Sequence, residues 1–177
     1  FWDRRGLGTV RLLEPSQVRT LIDRRLGVDA LEVTAESLRE QLGRSRRVIK
    51  VALLDQQSVA GIGNLYASEI LFVAGVDPRS RCDRLSRPQW ARIAAGTVDV
   101  LCEAIRHEGS TLSDGTYRNV LNDPGGYQNY HRVYDRAGMQ CRRCTLAEIR
   151  RIVQAGRSTF FCPNCQRKTG IHPAVAS

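Results

Sequence analysis

The sequence predicts a mainly α chain that closes on a small β-hairpin module. Three observations carry this. From residue 14 to residue 109, apolar residues recur at three-and-four spacing, punctuated by glycine and proline. Two Cys-x-x-Cys pairs, Cys141/Cys144 and Cys162/Cys165, lie near the C-terminal end with 17 residues between them. The chain is also strongly basic, with a net charge of +9, and 25 of its 27 basic residues are arginine. At 177 residues, 42% hydrophobic and 25% charged, the composition is that of a globular protein and excludes wholesale disorder. No apolar run approaches the roughly 18 residues of a membrane helix, and no secretory signal is visible. Arginine grips phosphate with a planar fork, so the charge points to a polyanion partner, nucleic acid ahead of a membrane surface.

Residues 1–13 read FWDRRGLGTVRLL. Residues 9–13 have strand character and 3–8 read as a loop. A single strand has no partner in the mostly helical remainder of the chain, so 1–13 is expected to be the remnant of a strand-rich domain. The start at Phe1-Trp2 rather than Met fits a fragment. The helical part is expected over 14–135. Glu14-Pro15-Ser16 opens a helix with Val18, Leu21, Ile22 and Leu26 on one face and Gly27 as its stop. Thr34 is placed to N-cap a second helix carrying Leu38 and Leu42. A third is expected over 45–54, a turn-rich stretch over 55–64, and a fourth helix over 65–74. Ser86-x-x-Gln89 is a capping box. It opens the longest helix, with Trp90, Ile93, Ala94, Thr97, Leu101, Ala104 and Ile105 on one face. Residues 110–129 are polar and glycine-rich, and 130–135 read as a short strand.

The cysteine module is expected over 136–168, with strands at 147–153 and 157–161 and a loose tail over 169–177. Two close pairs with about 15–20 residues between them have the spacing of a structural zinc site, each pair offering two thiolates to one tetrahedral ion. A pair of disulfides or two redox pairs are the alternatives, and the lack of a secretory signal favours zinc. Cys102 reads as a small buried residue within a helix, and Cys82 takes no role.

Val59-Ala60-Gly61-Ile62-Gly63-Asn64 joins two helices. Glycines at positive φ can aim successive N–H groups outward at a helix start, where the dipole favours an anion. Asn64 is placed both to N-cap that helix and to donate to a phosphate, and Lys50 on the preceding helix is placed to face the same anion. On these residues alone, an ordinary tight turn with a surface lysine fits, as does a helix-hairpin-helix turn.

The run DQQSVAGIGNLYASEILF at 55–72 closely resembles the helix-two-turns-helix signature of the formamidopyrimidine-DNA glycosylase family, which also holds the endonuclease VIII-like enzymes. Cys141-x-x-Cys144 followed by GRSTFFCPNC at 156–165 resembles that family's C-terminal zinc finger. The likeness covers 1–168. It implies a helix-two-turns-helix bundle followed by a zinc hairpin, one structural Zn2+ on Cys141, Cys144, Cys162 and Cys165, and absence of the family's N-terminal β-sandwich domain. It implies that Lys50, Gly63 and Asn64 meet the phosphates flanking a damaged nucleotide, with Arg157 gripping backbone from the hairpin tip. It implies as well that residues 112–127, including Tyr117, form the loop over an everted base, with Tyr127 either a fixed point of that loop or packing.

The loop at 3–8 is similar to the family's Asp-Pro-Arg-Arg-Phe-Gly. Arg5 matches its first arginine, Gly6 replaces the second, and Leu7 falls at the wedging aromatic. Leu7 is thus either a wedge for the gap left by a flipped base or a residue packed on the lost domain. The family's nucleophile is the amine of an N-terminal proline followed by glutamate, and this sequence shows neither at its start, so no catalytic residue is expected in the chain as given. Lys50 is the other amine weighed for that role. Glu69 reads as a structural or solvated helix residue.

The resemblance implies the DNA-binding portion of a base-excision repair glycosylase/AP lyase for oxidised purines (8-oxoguanine, formamidopyrimidine). The expected partners are damaged duplex DNA and a missing catalytic domain, with no membrane. The expected state is a monomer in the bacterial cytoplasm, at the nucleoid. A stand-alone, non-catalytic damage-recognition module and an endonuclease VIII-like enzyme for oxidised pyrimidines are the alternatives.

Overall fold

The computed structural model describes residues 8–111, 121 and 123–167. Residues 8–14 run without regular structure, so the strand expected at 9–13 is not formed. An isolated strand leaves its backbone ladder unpaired, and no β-bridge among the described residues involves 9–13. Helix α1 (Pro15–Arg25) starts with proline in its first turn and a reciprocal cap between Glu14 and Gln17. Its apolar residues Val18, Ile22 and Leu26 are exposed, not packed. Strand β1 (Val28–Asp29) then pairs in parallel with β2 (Val59–Ala60). Thr34 caps α2 (Ala35–Leu42) by accepting from the Ser37 N–H, and α2 buries Leu38 and Leu42.

The helix expected over 45–54 contracts to α3 (Ile49–Ala52). Residues 45–48 are drawn instead against 81–83. The Cys82 N–H donates to the Arg47 carbonyl, the Asp83 N–H to the Ser45 carbonyl, and Val48 bridges Arg81. This pairing between distant segments outweighs a local helical preference worth only about a few tenths of a kcal/mol per residue. A short 3-10 turn, Cys82–Arg84, leads into α5 (Arg87–Arg106), which opens on the Ser86/Gln89 capping box. Helix α5 packs against both α2 and α4 (Asn64–Val73). It buries Trp90, Ile93, Ala94, Thr97, Leu101 and Ala104, whereas Ile105 turns outward. Cys102 is only half-buried, and Cys82 lies in the core.

Helix α4 buries seven of its ten residues. A helix apolar all round has to be covered all round. Ile70 and Leu71 enter the core shared with α2, α3 and α5, while Phe72 enters a second cluster with Val133, Ile149, Phe160 and the cysteines. The hairpin of strands β3 (Arg150–Gln154) and β4 (Arg157–Phe161) supplies that second cover. Strand β3 begins later than the 147 expected. Its turn is Ala155-Gly156, with φ of 47° and 72°, the positive pair of a two-residue type I′ hairpin. No described helix is long and apolar enough to cross a membrane.

The strand expected at 130–135 is absent. A 3-10 turn, Tyr127–Tyr130, is followed by a bend whose N–H groups converge on one side chain. The N–H groups of Arg132, Val133 and Tyr134 all donate to the Glu69 carboxylate at 2.8–3.0 Å. Glu69 is fully buried, with the Arg132 guanidinium 3.7 Å away, itself bonded to Glu103 at 2.7 Å. Three backbone donors and a cation replace the water this carboxylate gave up. Replacing Glu69 with alanine is expected to cost about 3–5 kcal/mol, the scale of a broken buried charge network. Glu69→Gln, which keeps an acceptor oxygen, is expected to cost less; denaturant unfolding monitored by circular dichroism checks both.

Candidate nucleic-acid interface

The turn between α3 and α4 is braced from within. The Gln56 carboxamide donates to the Ile62 carbonyl at 3.0 Å and accepts from the Gly61 N–H at 2.9 Å. Asp55 accepts from the Gln57 N–H, the Ser58 hydroxyl and Arg47. Gly61 has φ = +101° and needs glycine. Gly63 differs from expectation. Its φ is −93° and ψ 175°, backbone that any residue adopts, and an added Cβ would meet nothing within 4 Å. Nothing inside the described protein asks for glycine there.

Asn64 is the first residue of α4, and Gly63 occupies the N-cap, so the expected Asn64 cap is not made. The helix start carries neither a side-chain cap nor an acidic residue in its first turn, which leaves its partial positive charge without an internal counter-charge. Asn64 is occupied elsewhere. Its Oδ1 accepts from Lys50 Nζ at 2.5 Å, and its Nδ2 donates to the Ser158 carbonyl at 3.0 Å. One carboxamide therefore ties α3, α4 and the zinc hairpin together. Ser158 neighbours Arg157, the exposed first residue of β4 after the hairpin turn.

Lys50 is fully buried, not the surface lysine of the simpler reading. No described carboxylate lies within 4.0 Å of its ammonium. Burial first, and then the charge of Arg157, push its pKa down to about 8. Between pH 8 and the unfolded value of 10.5 the unfolded chain holds a proton that the folded chain has released, so the cost of burying this group is in full force below pH 8 and is relieved as pH rises through that window. Lys50, Asn64 and Arg157 thus come together from three segments around the open start of α4.

Behind them sits the cysteine cluster. The Sγ atoms of Cys141, Cys144, Cys162 and Cys165 all lie within 4.8 Å of one another. Cys141 and Cys165 are 3.9 Å apart, and Cys144 and Cys162 are 3.7 Å apart. With Zn–S bonds of about 2.3 Å, a tetrahedral site has sulfur–sulfur edges of about 3.8 Å, so the four thiolates fit one zinc ion. The Cys165 N–H points at the Cys162 sulfur at 3.4 Å, a backbone donor that steadies a thiolate. Gln166 accepts from the Cys162 N–H and donates to the Val76 carbonyl just past α4. Arg143 donates to the Phe72 carbonyl and lies over the Phe72 ring at 3.9 Å.

Arg5, Leu7 and Tyr117 lie outside the described residues. Tyr127 is packing: it is fully buried, 5.8 Å from the Tyr66 ring, with its hydroxyl bonded to Arg132. His131 is buried beside the Ser110 hydroxyl, and burial pushes its pKa down to about 4, so it is neutral. The residues that sequence reasoning missed are Gln166 and the Ser158 carbonyl, and of the two readings of Glu69, structural or solvated, the structural one holds. A backbone acceptor leaves no sequence signal.

Removing the metal with a strong chelator is expected to unravel the hairpin while leaving α2 and α5 intact. Amide NMR signals of residues 63–66 should shift together with those of the finger; signals that stay fixed would show that Asn64 does not depend on Ser158.

Comparison with known proteins bears on these elements directly. The model of the formamidopyrimidine-DNA glycosylase H2TH domain matches residues 26–116, and that of the zinc finger found in FPG and IleRS matches 140–167. The formamidopyrimidine-DNA glycosylase of Paracoccus denitrificans is 42% identical over 171 residues, covering 94% of this chain and 59% of that protein. That of Bordetella avium is 47% identical over 127 residues, covering 71% and 45%. Among solved structures, Lactococcus lactis Fpg in complex with DNA containing an abasic site is similar with a TM-score of 0.84 and 34% identity, covering 94% of this chain and 61% of that one. The MutM (Fpg) protein of Thermus thermophilus is similar with a TM-score of 0.76 and 41% identity, covering 80% and 54%. The chain spans about half to three-fifths of the length of these relatives. Its helices and zinc hairpin are those of an H2TH domain and an FPG-type finger, and the chain belongs to the formamidopyrimidine-DNA glycosylase family.

Proposed function

We propose that this chain provides the DNA grip of a base-excision repair glycosylase/AP lyase acting on oxidised purines, 8-oxoguanine and formamidopyrimidines, in duplex DNA. The observation that carries the reading is Gly63: a glycine with ordinary φ and empty space where its Cβ would go. Such a glycine serves something that approaches from outside. Its position at the uncapped start of α4, beside Lys50, Asn64 and Arg157, fits a phosphodiester. On this reading Asn64 and Arg157 take phosphate oxygens and Lys50 supplies buried charge beneath them. The same reading gives Leu7 the wedge and Tyr117 the loop over the everted base, with Arg5 beside them on the DNA. The substrate class is supported by L. lactis Fpg structures that hold abasic-site DNA and Fapy-dG DNA.

The burial of Lys50 and its bond to Asn64 suit a phosphate anchor better than an amine offered to the sugar C1′. A nucleophilic amine needs free access as well as a lowered pKa. A phosphate arriving at Lys50 favours the ammonium, so binding takes up a proton wherever the free protein has released one.

Two outcomes test this with a duplex containing an abasic-site analogue. Gly63→Ala is expected to change unfolding stability by no more than about 1 kcal/mol and to weaken DNA binding about tenfold, close to 1.4 kcal/mol. Unchanged affinity would sink the reading. Wild-type affinity is expected to fall as pH rises above 8, by up to about tenfold per pH unit. Lys50→Met should weaken binding at pH 7 and flatten that pH dependence.

A further inference from the structure

The ribbon formed by 44–48 and 79–84 carries more charge than its own contacts use. It holds Arg44, Arg46, Arg47, Arg79, Arg81 and Arg84. Three of these are neutralised: Arg47 by Asp55, Arg79 by Asp77 and Arg81 by Asp83. Arg44, Arg46 and Arg84 are exposed and make no ion pair within 4.0 Å among the described residues. Asp83 takes two hydrogen bonds from Arg81. Its carboxyl is held below the usual range first by that bonding, and then by the charges of Arg81, Arg84 and Arg46. One carboxylate therefore has three guanidinium groups around it and is spent on one of them.

The ribbon is also held in place. Besides its own backbone bonds, the Ile49 N–H donates to the Ser80 carbonyl at 2.7 Å. Gln154 of the zinc hairpin donates to the Pro78 carbonyl, and Arg79 lies over the Phe161 ring at 4.8 Å. One strand of the ribbon runs directly into α3, which carries Lys50. Arg46 lies four positions before Lys50, so their Cα atoms are at most about 13 Å apart, no more than about four base pairs of duplex rise.

We propose that Arg46 and Arg84, with Arg44 at the edge, form a second grip on the phosphodiester backbone, up to about four base pairs from the phosphates beside Lys50. The inference rests on the DNA-binding reading above and extends its footprint. A fixed, basic ribbon continuous with the first grip fits a regular polyanion that passes both. The guanidinium fork suits phosphate, and arginines on or next to hydrogen-bonded backbone, Arg46 within the pairing and Arg44 and Arg84 at its ends, lose less entropy on engaging it than they would on a free loop.

The test compares the full chain with the double variant Arg46→Gln/Arg84→Gln and with Lys50→Met, after confirming equal zinc content and melting temperature. Binding is measured against salt on a duplex of about 30 base pairs with a central abasic-site analogue. It is repeated on two duplexes cut back to about three base pairs on one side or the other. On the long duplex the double variant should reduce the slope of log K against log salt by about 1–2 and weaken binding several-fold. On one of the shortened duplexes the wild type should show the same loss and the variant no further loss. If the variant binds the long duplex like wild type, or loses equally on all three, the second grip does not exist. Lys50→Met reads the first grip separately. Weakening on every duplex keeps that grip whatever the ribbon does, whereas no weakening on any of them overturns the underlying DNA-binding reading.

Discussion

Helix α4 is covered on two sides, by the α2–α5 bundle through Ile70 and Leu71 and by the zinc hairpin through Phe72. Packing on both sides fixes its axis and its rotation, and therefore the direction in which its first turn opens. The Asn64 carboxamide can then reach the Lys50 ammonium and the Ser158 carbonyl at once. Neither contact survives a modest rotation of the helix, because hydrogen bonds weaken steeply with angle and distance.

The polar groups that this burial encloses are matched to one another. Glu69, deep on α4, holds the backbone of 132–134, the segment that leads from the helical bundle to the finger. Gln166 and Arg143 hold the carbonyls near the far end of α4. The finger is thus tied to the start and end of α4, and the segment leading to it is tied to the middle. A two-stranded hairpin alone is marginal in water. The zinc ion makes it stiff, and these bonds pass the stiffness to the helix start.

Parts of this arrangement were legible in the sequence because they are local. Cys-x-x-Cys pairs declare a metal site through spacing alone, and Thr34 and Ser86 announce helix starts through their next few neighbours. The glycine turn was recognisable as a string, though not which glycine does what: Gly61 uses its conformational freedom, whereas Gly63 has ordinary backbone and open space where a Cβ would go. The failures are all non-local. The segment 45–48 pairs with 81–83 instead of coiling. Asn64 gives up its capping role for partners 14 and 94 residues away. The burial of Lys50 shows only once the hairpin is placed beside it. The exposed stripe of α1 was correctly periodic, but periodicity says only that a face is apolar, not what meets it.

The bond between Asn64 and Ser158 also bears on how the molecule is made. Translation delivers Lys50 and Asn64 long before the segment that completes their surroundings. While the ribosome is still decoding the finger, the helical bundle can condense, yet the corner at Lys50 and Asn64 lacks a wall. The corner is therefore completed last and all at once, when the fourth cysteine emerges and a metal ion closes the hairpin, so a truncated or metal-starved product would be folded in large part and still lack the bond between Asn64 and Ser158.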